Sequence, residues 1–127
     1  MKNQVCTEEQ MKELMTLGIS TACCSACLLT MKYGDWKEET IATEPCALYG
    51  KADIPVFTIP DMLDRMPCKI NGYDLIIYKS MDGWFAGYIN YESSKLLYNL
   101  GVKCSILRDA VYLIFKELAI MGKLIEK

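Results

Sequence analysis

The sequence predicts an α+β fold, an antiparallel sheet of three to five strands with helices packed mainly on one side. Three observations carry this. The stretch 74–91 reads as two strands, 74–80 and 84–91, joined at Met81-Asp82-Gly83. Asp-Gly between β-branched and aromatic runs is a hairpin signal, because Gly accepts the backbone of a tight turn. The stretch 8–17 shows a helix start, with Thr7 as N-cap, Gln10 three residues on as its capping-box partner, and Glu8 and Glu9 at the positive end of the dipole. The stretch 106–121 places Leu107, Ala110, Val111, Ile114, Leu118 and Met121 on one apolar stripe.

The remaining elements follow in order. Met11, Leu14 and Met15 give the first helix one apolar face, and Gly18 suits its C-terminal close, with Ile19 folding back on Leu14. The stretch 20–31 is open to a helix or a strand; a hairpin with strands near 26–33 and 36–43 is preferred, with a loop over 45–53. A short helix is expected over 59–66: Thr58 is its N-cap, Asp61 sits at the third position, Pro60 lies in the first turn and Pro67 stops it. Asp61 and Asp64 read as cap and dipole charges rather than as a metal or acid–base pair. A third antiparallel strand is expected over 94–99, with Gly101 turning the chain and Ser105 capping the last helix, whose Arg108 and Tyr112 mark a wetter side.

A chain of 127 residues is expected to form a single domain, 1–127. Its hydrophobic content of 52% and charged content of 24% are those of a folded protein. Sixteen acids against 14 bases leave a net charge of −2, which disfavours binding to duplex nucleic acid. No apolar run is long enough to span a bilayer, and the N-terminal residues lack an apolar leader core, so a cytoplasmic, membrane-free setting is expected. Seven cysteines are then expected to be free thiols.

Sequence alone carries little chemistry. Without a histidine there is no imidazole base for a Ser or Cys nucleophile. No glycine-rich phosphate loop occurs. Cys24 and Cys27 form one C-x-x-C, a candidate metal or redox pair, but zinc usually takes two such pairs. No cofactor and no catalytic residue is expected. The aromatic cluster of the hairpin reads first as sheet packing and next as a protein-binding face, with Tyr78, Trp84, Tyr88 and Tyr91 as its candidate residues. A stacking platform for single-stranded nucleic acid would need more cations beside the rings than Lys79 and Lys95.

The run 55–67, P-V-F-T-I-P-D-M-L-D-R-M-P, followed by Y-D-L-I-I and W-F-A-G-Y, resembles small uncharacterised proteins of Bacteroides-type gut bacteria and their prophages or mobile elements. Those proteins often open with a helix ending in Leu-Gly, as Leu17-Gly18 does here. The cysteine-rich stretch 23–27 and Pro60 depart from that pattern. The resemblance implies the same fold and a bacterial setting, and it implies no activity. The expected function is that of a small non-enzymatic accessory protein of a bacterial or phage genome, acting by protein–protein contact. Alternatives are a cysteine-based metal or redox protein and a nucleic-acid-binding regulator. The hairpin is apolar on both faces, so its expected partner is a second copy of the chain in a two-fold homodimer.

Overall fold

A computed structural model describes residues 2–22, 24–33, 36–42 and 54–125. It has the α+β architecture that the sequence predicts, with three α-helices and antiparallel strands. Within the span that length assigns to one domain, the chain forms two compact units, Met1–Asp61 and Met62–Lys127. The strands make two sheets, one in each unit, where one was expected.

The first unit opens with a short 3-10 turn, Lys2–Gln4, and helix α1, Glu8–Thr16. Thr7 caps α1 as expected. Its hydroxyl accepts from the Gln10 amide at 3.1 Å, and the Gln10 side chain accepts from the Thr7 amide at 2.9 Å. At the other end Gly18 takes φ +81°, and the Ile19 amide donates to Leu14 O and the Gly18 amide to Met15 O. This is the Schellman close that Gly18 and Ile19 promised. Met11 and Leu14 are fully buried, whereas Met15 stays exposed.

Strands β1 (Ala26–Tyr33) and β2 (Trp36–Ala42) form the preferred hairpin. The expected 45–53 loop lies outside the described residues. Strand β3, Ile54–Val56, adds to the other edge of β1, giving the order β2-β1-β3. The Cys6 amide donates to Phe57 O at 2.8 Å, and the Phe57 amide donates to the Met11 sulfur at 3.5 Å, so α1 is tied down next to β3.

Helix α2, Ile59–Arg65, begins in the first unit and ends in the second. Its start matches the sequence reading: the Asp61 amide donates to Thr58 Oγ1, and Asp61 Oδ2 accepts from the Thr58 amide.

The second unit is a four-stranded sheet in the order β4-β5-β6-β7: Lys69–Ile70, Tyr73–Ser80, Gly83–Asn90 and Lys95–Cys104. The central hairpin β5–β6 turns at Met81-Asp82, with Ser80 paired to Gly83. Strand β7 runs well past the expected 94–99. Gly101 lies inside it, paired with Gly87, rather than turning the chain.

Helix α3, Leu107–Ile120, packs on β6 and β7. Val111, Ile114 and Leu118 are buried as expected. Its buried face is wider than the stripe read from the sequence: Phe115, Tyr112 and Arg108 are buried as well. Arg108 can lie there because its guanidinium Nε donates to Asp109 Oδ1 at 3.0 Å, which keeps the buried charge paired. The N-cap is Ile106, without a side-chain hydrogen bond, so Ser105 does not serve as the expected cap. Gly122, at φ +69°, closes the C-terminus.

Candidate functional site

Directly opposed residues share one side of an antiparallel sheet, so the register sorts the second sheet into two faces. One face carries Leu75 with Tyr88, Ile77 with Ala86 and Val102, and Lys79 with Trp84 and Cys104. The other carries Asp74 with Ile89 and Leu96, Ile76 with Gly87 and Gly101, and Tyr78 with Phe85 and Lys103.

The first face holds the core of this unit. Ala86 and Tyr88 are fully buried. The Tyr88 hydroxyl donates to Pro67 O at 2.6 Å, so its one polar atom is satisfied. Burial, reinforced by Cys68, holds its phenol well above the usual tyrosine range. Burial likewise raises the Cys104 thiol.

The second face is apolar but open. Ile76, Phe85 and Ile89 are half-buried, Leu96 is 37% exposed and Tyr78 49% exposed. The Tyr78 and Phe85 rings stack with centroids 5.1 Å apart. Gly87 and Gly101 leave the sheet flat beneath them: a Cβ at Gly101 would lie 2.8 Å from a Leu96 methyl and 3.1 Å from Phe85 Cζ. The three charged residues of this face, Asp74, Lys69 opposite it and Lys103, are all in ion pairs. Lys103 bridges to Asp82 at 3.1 Å, and Asp74 pairs with Lys69 at 3.6 Å. The Lys103 hydrogen bond, with help from Ser80, keeps the Asp82 carboxyl below the usual range. Neither pair contributes much to stability, because water screens it, but each leaves the face without a net charge.

The four aromatic candidates therefore do not share one face. Tyr78 lies on the open face. Trp84 is half-buried on the opposite one, with the Lys79 ammonium 5.8 Å from its ring. Tyr88 belongs to the core and offers no surface to a partner. Tyr91 is 69% exposed, in the turn between β6 and β7. The residues that accompany Tyr78 are aliphatic, Ile76, Ile89 and Leu96, together with Phe85. Strand alternation already separates Tyr78 from Trp84 and Tyr88 once the register is known, but the choice by aromatic character obscured it.

The cysteines also depart from expectation. Cys6, Cys24, Cys68 and Cys104 are reduced thiols, but Cys27 is disulfide-bonded. Since Cys24 is a thiol, the C-x-x-C is not closed into a Cys24–Cys27 bond, and the expectation of seven free thiols fails at Cys27. Spacing in sequence says nothing of which sulfurs the fold brings within bonding distance. Among the described residues no cluster of three or more Cys, Asp or Glu side chains could hold a metal ion.

Asp61 is fully engaged in structure. Beyond its cap on α2, both carboxylate oxygens accept from Ser25 Oγ, at 2.9 and 2.8 Å, and Oδ2 accepts from the Ser25 amide at 3.0 Å. The carboxylate thus staples the entry of β1 to the start of α2. Ser25 is 36 residues away, and nothing in the sequence marked it as the partner.

Among the described residues no helix is long and apolar enough to cross a membrane. Compared with known protein families, curated proteins and solved structures, the chain matches none.

Proposed function

We infer that this chain is a small non-enzymatic accessory protein that works by protein–protein contact through the open face of its second sheet. The observation that carries this is the set Ile76, Tyr78, Phe85, Ile89 and Leu96, five large apolar side chains on one sheet face of which none is fully buried. Contiguous open apolar surface of this kind marks interaction sites in folded proteins. The internally paired charges point to a partner that is itself apolar and uncharged at the contact. They also disfavour a nucleic-acid backbone, which would need unpaired cations. The placement in a bacterial or phage genome rests on the sequence resemblance, and a cytoplasmic setting would require the disulfide at Cys27 to persist among reducing thiols.

Capture from a gut-bacterial lysate, with wild type and Tyr78→Glu as parallel baits, tests the reading. A charge at the centre of an apolar contact should remove a captured protein at least tenfold. Equal capture by both baits would place the contact elsewhere.

A further inference from the structure

Two turns of the second sheet place a residue with a side-chain carbonyl directly before a glycine. They are Asn71-Gly72, between β4 and β5, and Asp82-Gly83, between β5 and β6. Such pairs are chemically reactive, because glycine has no Cβ to shield its amide nitrogen from the carbonyl carbon of the side chain before it. The two turns differ in what restrains them. Asp82 is held by Lys103, whose ammonium lies 3.1 Å from both carboxylate oxygens, and by the Ser80 hydroxyl at 3.1 Å. Held as a carboxylate, it is a poor electrophile. Asn71 and Gly72 are both exposed, and a Cβ at Gly72 would meet nothing within 4 Å. Among the described residues no hydrogen bond holds the Asn71 side chain. The other asparagines, Asn3, Asn90 and Asn99, precede Gln4, Tyr91 and Leu100, whose side chains shield the following amide. Asn90 is further fixed, since its Oδ1 accepts from the Glu92 and Ser93 amides.

We propose that Asn71 is a site of spontaneous deamidation by its own backbone, and that the isoaspartate formed there releases β4 from the sheet. The Gly72 amide nitrogen gives up its proton and bonds to Asn71 Cγ. The Cγ–Nδ2 bond breaks, and the nitrogen leaves as ammonia with that proton. The cyclic imide then takes up water. Opening at the side-chain carbonyl leaves aspartate; opening at the backbone carbonyl leaves isoaspartate, with the main chain rerouted through the former side chain. Ring closure needs the chain to rotate at Asn71, away from φ +50°. The fold permits this because β4 is weakly held. Its ties to β5 are the pairs Lys69–Asp74 and Ile70–Tyr73 and the bond from the Leu75 amide to Cys68 O. So small a unit opens locally without unfolding the rest. Isoaspartate adds a methylene to the main chain of a two-residue turn, whose length sets the register of its strands. Ile70 and Tyr73 then no longer meet in register, and Ile70, buried in the closed form, comes free.

The test is ageing of the intact chain in mildly alkaline buffer, followed by digestion and mass analysis. Cleavage after lysine places each asparagine in its own peptide. The peptide that contains Asn71 should gain the mass difference between water and ammonia at least tenfold faster than the other three. The aged chain should accept methyl groups from labelled S-adenosylmethionine in the presence of an isoaspartyl methyltransferase, and its Leu75 amide should lose protection from hydrogen exchange. Gly72→Ala should slow conversion at least tenfold whether or not the turn persists, because the added Cβ shields the nitrogen in either state. Conversion at Asn71 no faster than at Asn3, Asn90 or Asn99, or unchanged in Gly72→Ala, overturns the site. A converted chain that accepts no methyl groups, or keeps its Leu75 amide protected, overturns the release of β4.

Discussion

Phe115→Ala should lower stability by about 3–5 kcal/mol in urea titration, the largest effect expected of any single truncation in α3. Phe115 is fully buried, one residue along from Ile114 and three before Leu118, both also fully buried. Truncation removes a ring's worth of apolar burial and leaves a cavity that the close-packed surroundings only partly refill. Ile114→Ala should cost about 2–5 kcal/mol by the same mechanism. Ile120, on the exposed end of the helix, is the control, and Ile120→Ala should stay within about 0.5 kcal/mol of wild type. If Phe115→Ala behaved like Ile120→Ala, the face of α3 assigned to the core would be wrong.

Gly87→Ala should cost about 1–3 kcal/mol or more, although it adds a single methyl group. A Cβ at Gly87 would come within 2.5 Å of Leu100 O and 2.9 Å of Gly101 Cα. Both are main-chain atoms of β7, so no side-chain rotation relieves the overlap, and the strands must part. The cause is local. The β6–β7 register shifts between Gly87 and Ile89, and the ladder brings the two backbones together where both residues are glycine. A urea midpoint for Gly87→Ala equal to that of wild type would show that β6 and β7 do not approach this closely. Alanine at Gly72 makes a useful contrast: its site is open, and only the positive φ of +85° opposes substitution.

These two residues also show where the sequence was readable. Local chemistry was legible: the box of Thr7 and Gln10, the cap of Thr58 and Asp61 and the two hairpins each depend on residues a few positions apart. Gly101 was misread as a turn because glycine in isolation signals flexibility, and only its pairing with Gly87 reveals a close approach of strands. Phe115 was missed because a narrow stripe was drawn through Ile114, whereas a helix against two strands buries a wider arc. The turn Asn71-Gly72, with φ +50° and +85°, has the signature of a tight hairpin and was present in the sequence. It was passed over because the strand before it, β4, is only two residues long. The division into two sheets was not legible, since Ile54–Val56 pairs with a strand far back in the chain and leaves no local mark. Of the candidate site, Tyr78 was legible and its companions were not: choosing residues for their aromatic rings gathered Trp84 and Tyr88 from the opposite face and left out Ile76, Ile89 and Leu96.

The account's central claim is that the second sheet presents an open apolar face. Methyl-resolved NMR with a soluble paramagnetic agent tests this most directly. In dilute protein the methyl signals of Ile76, Ile89 and Leu96, none of which is fully buried, should broaden strongly, whereas those of the fully buried Leu14, Ile114 and Leu118 should change little. Methyl signals of Ile76, Ile89 and Leu96 as well shielded as that of Ile114 would contradict the claim, because the face would then already be covered within a single chain.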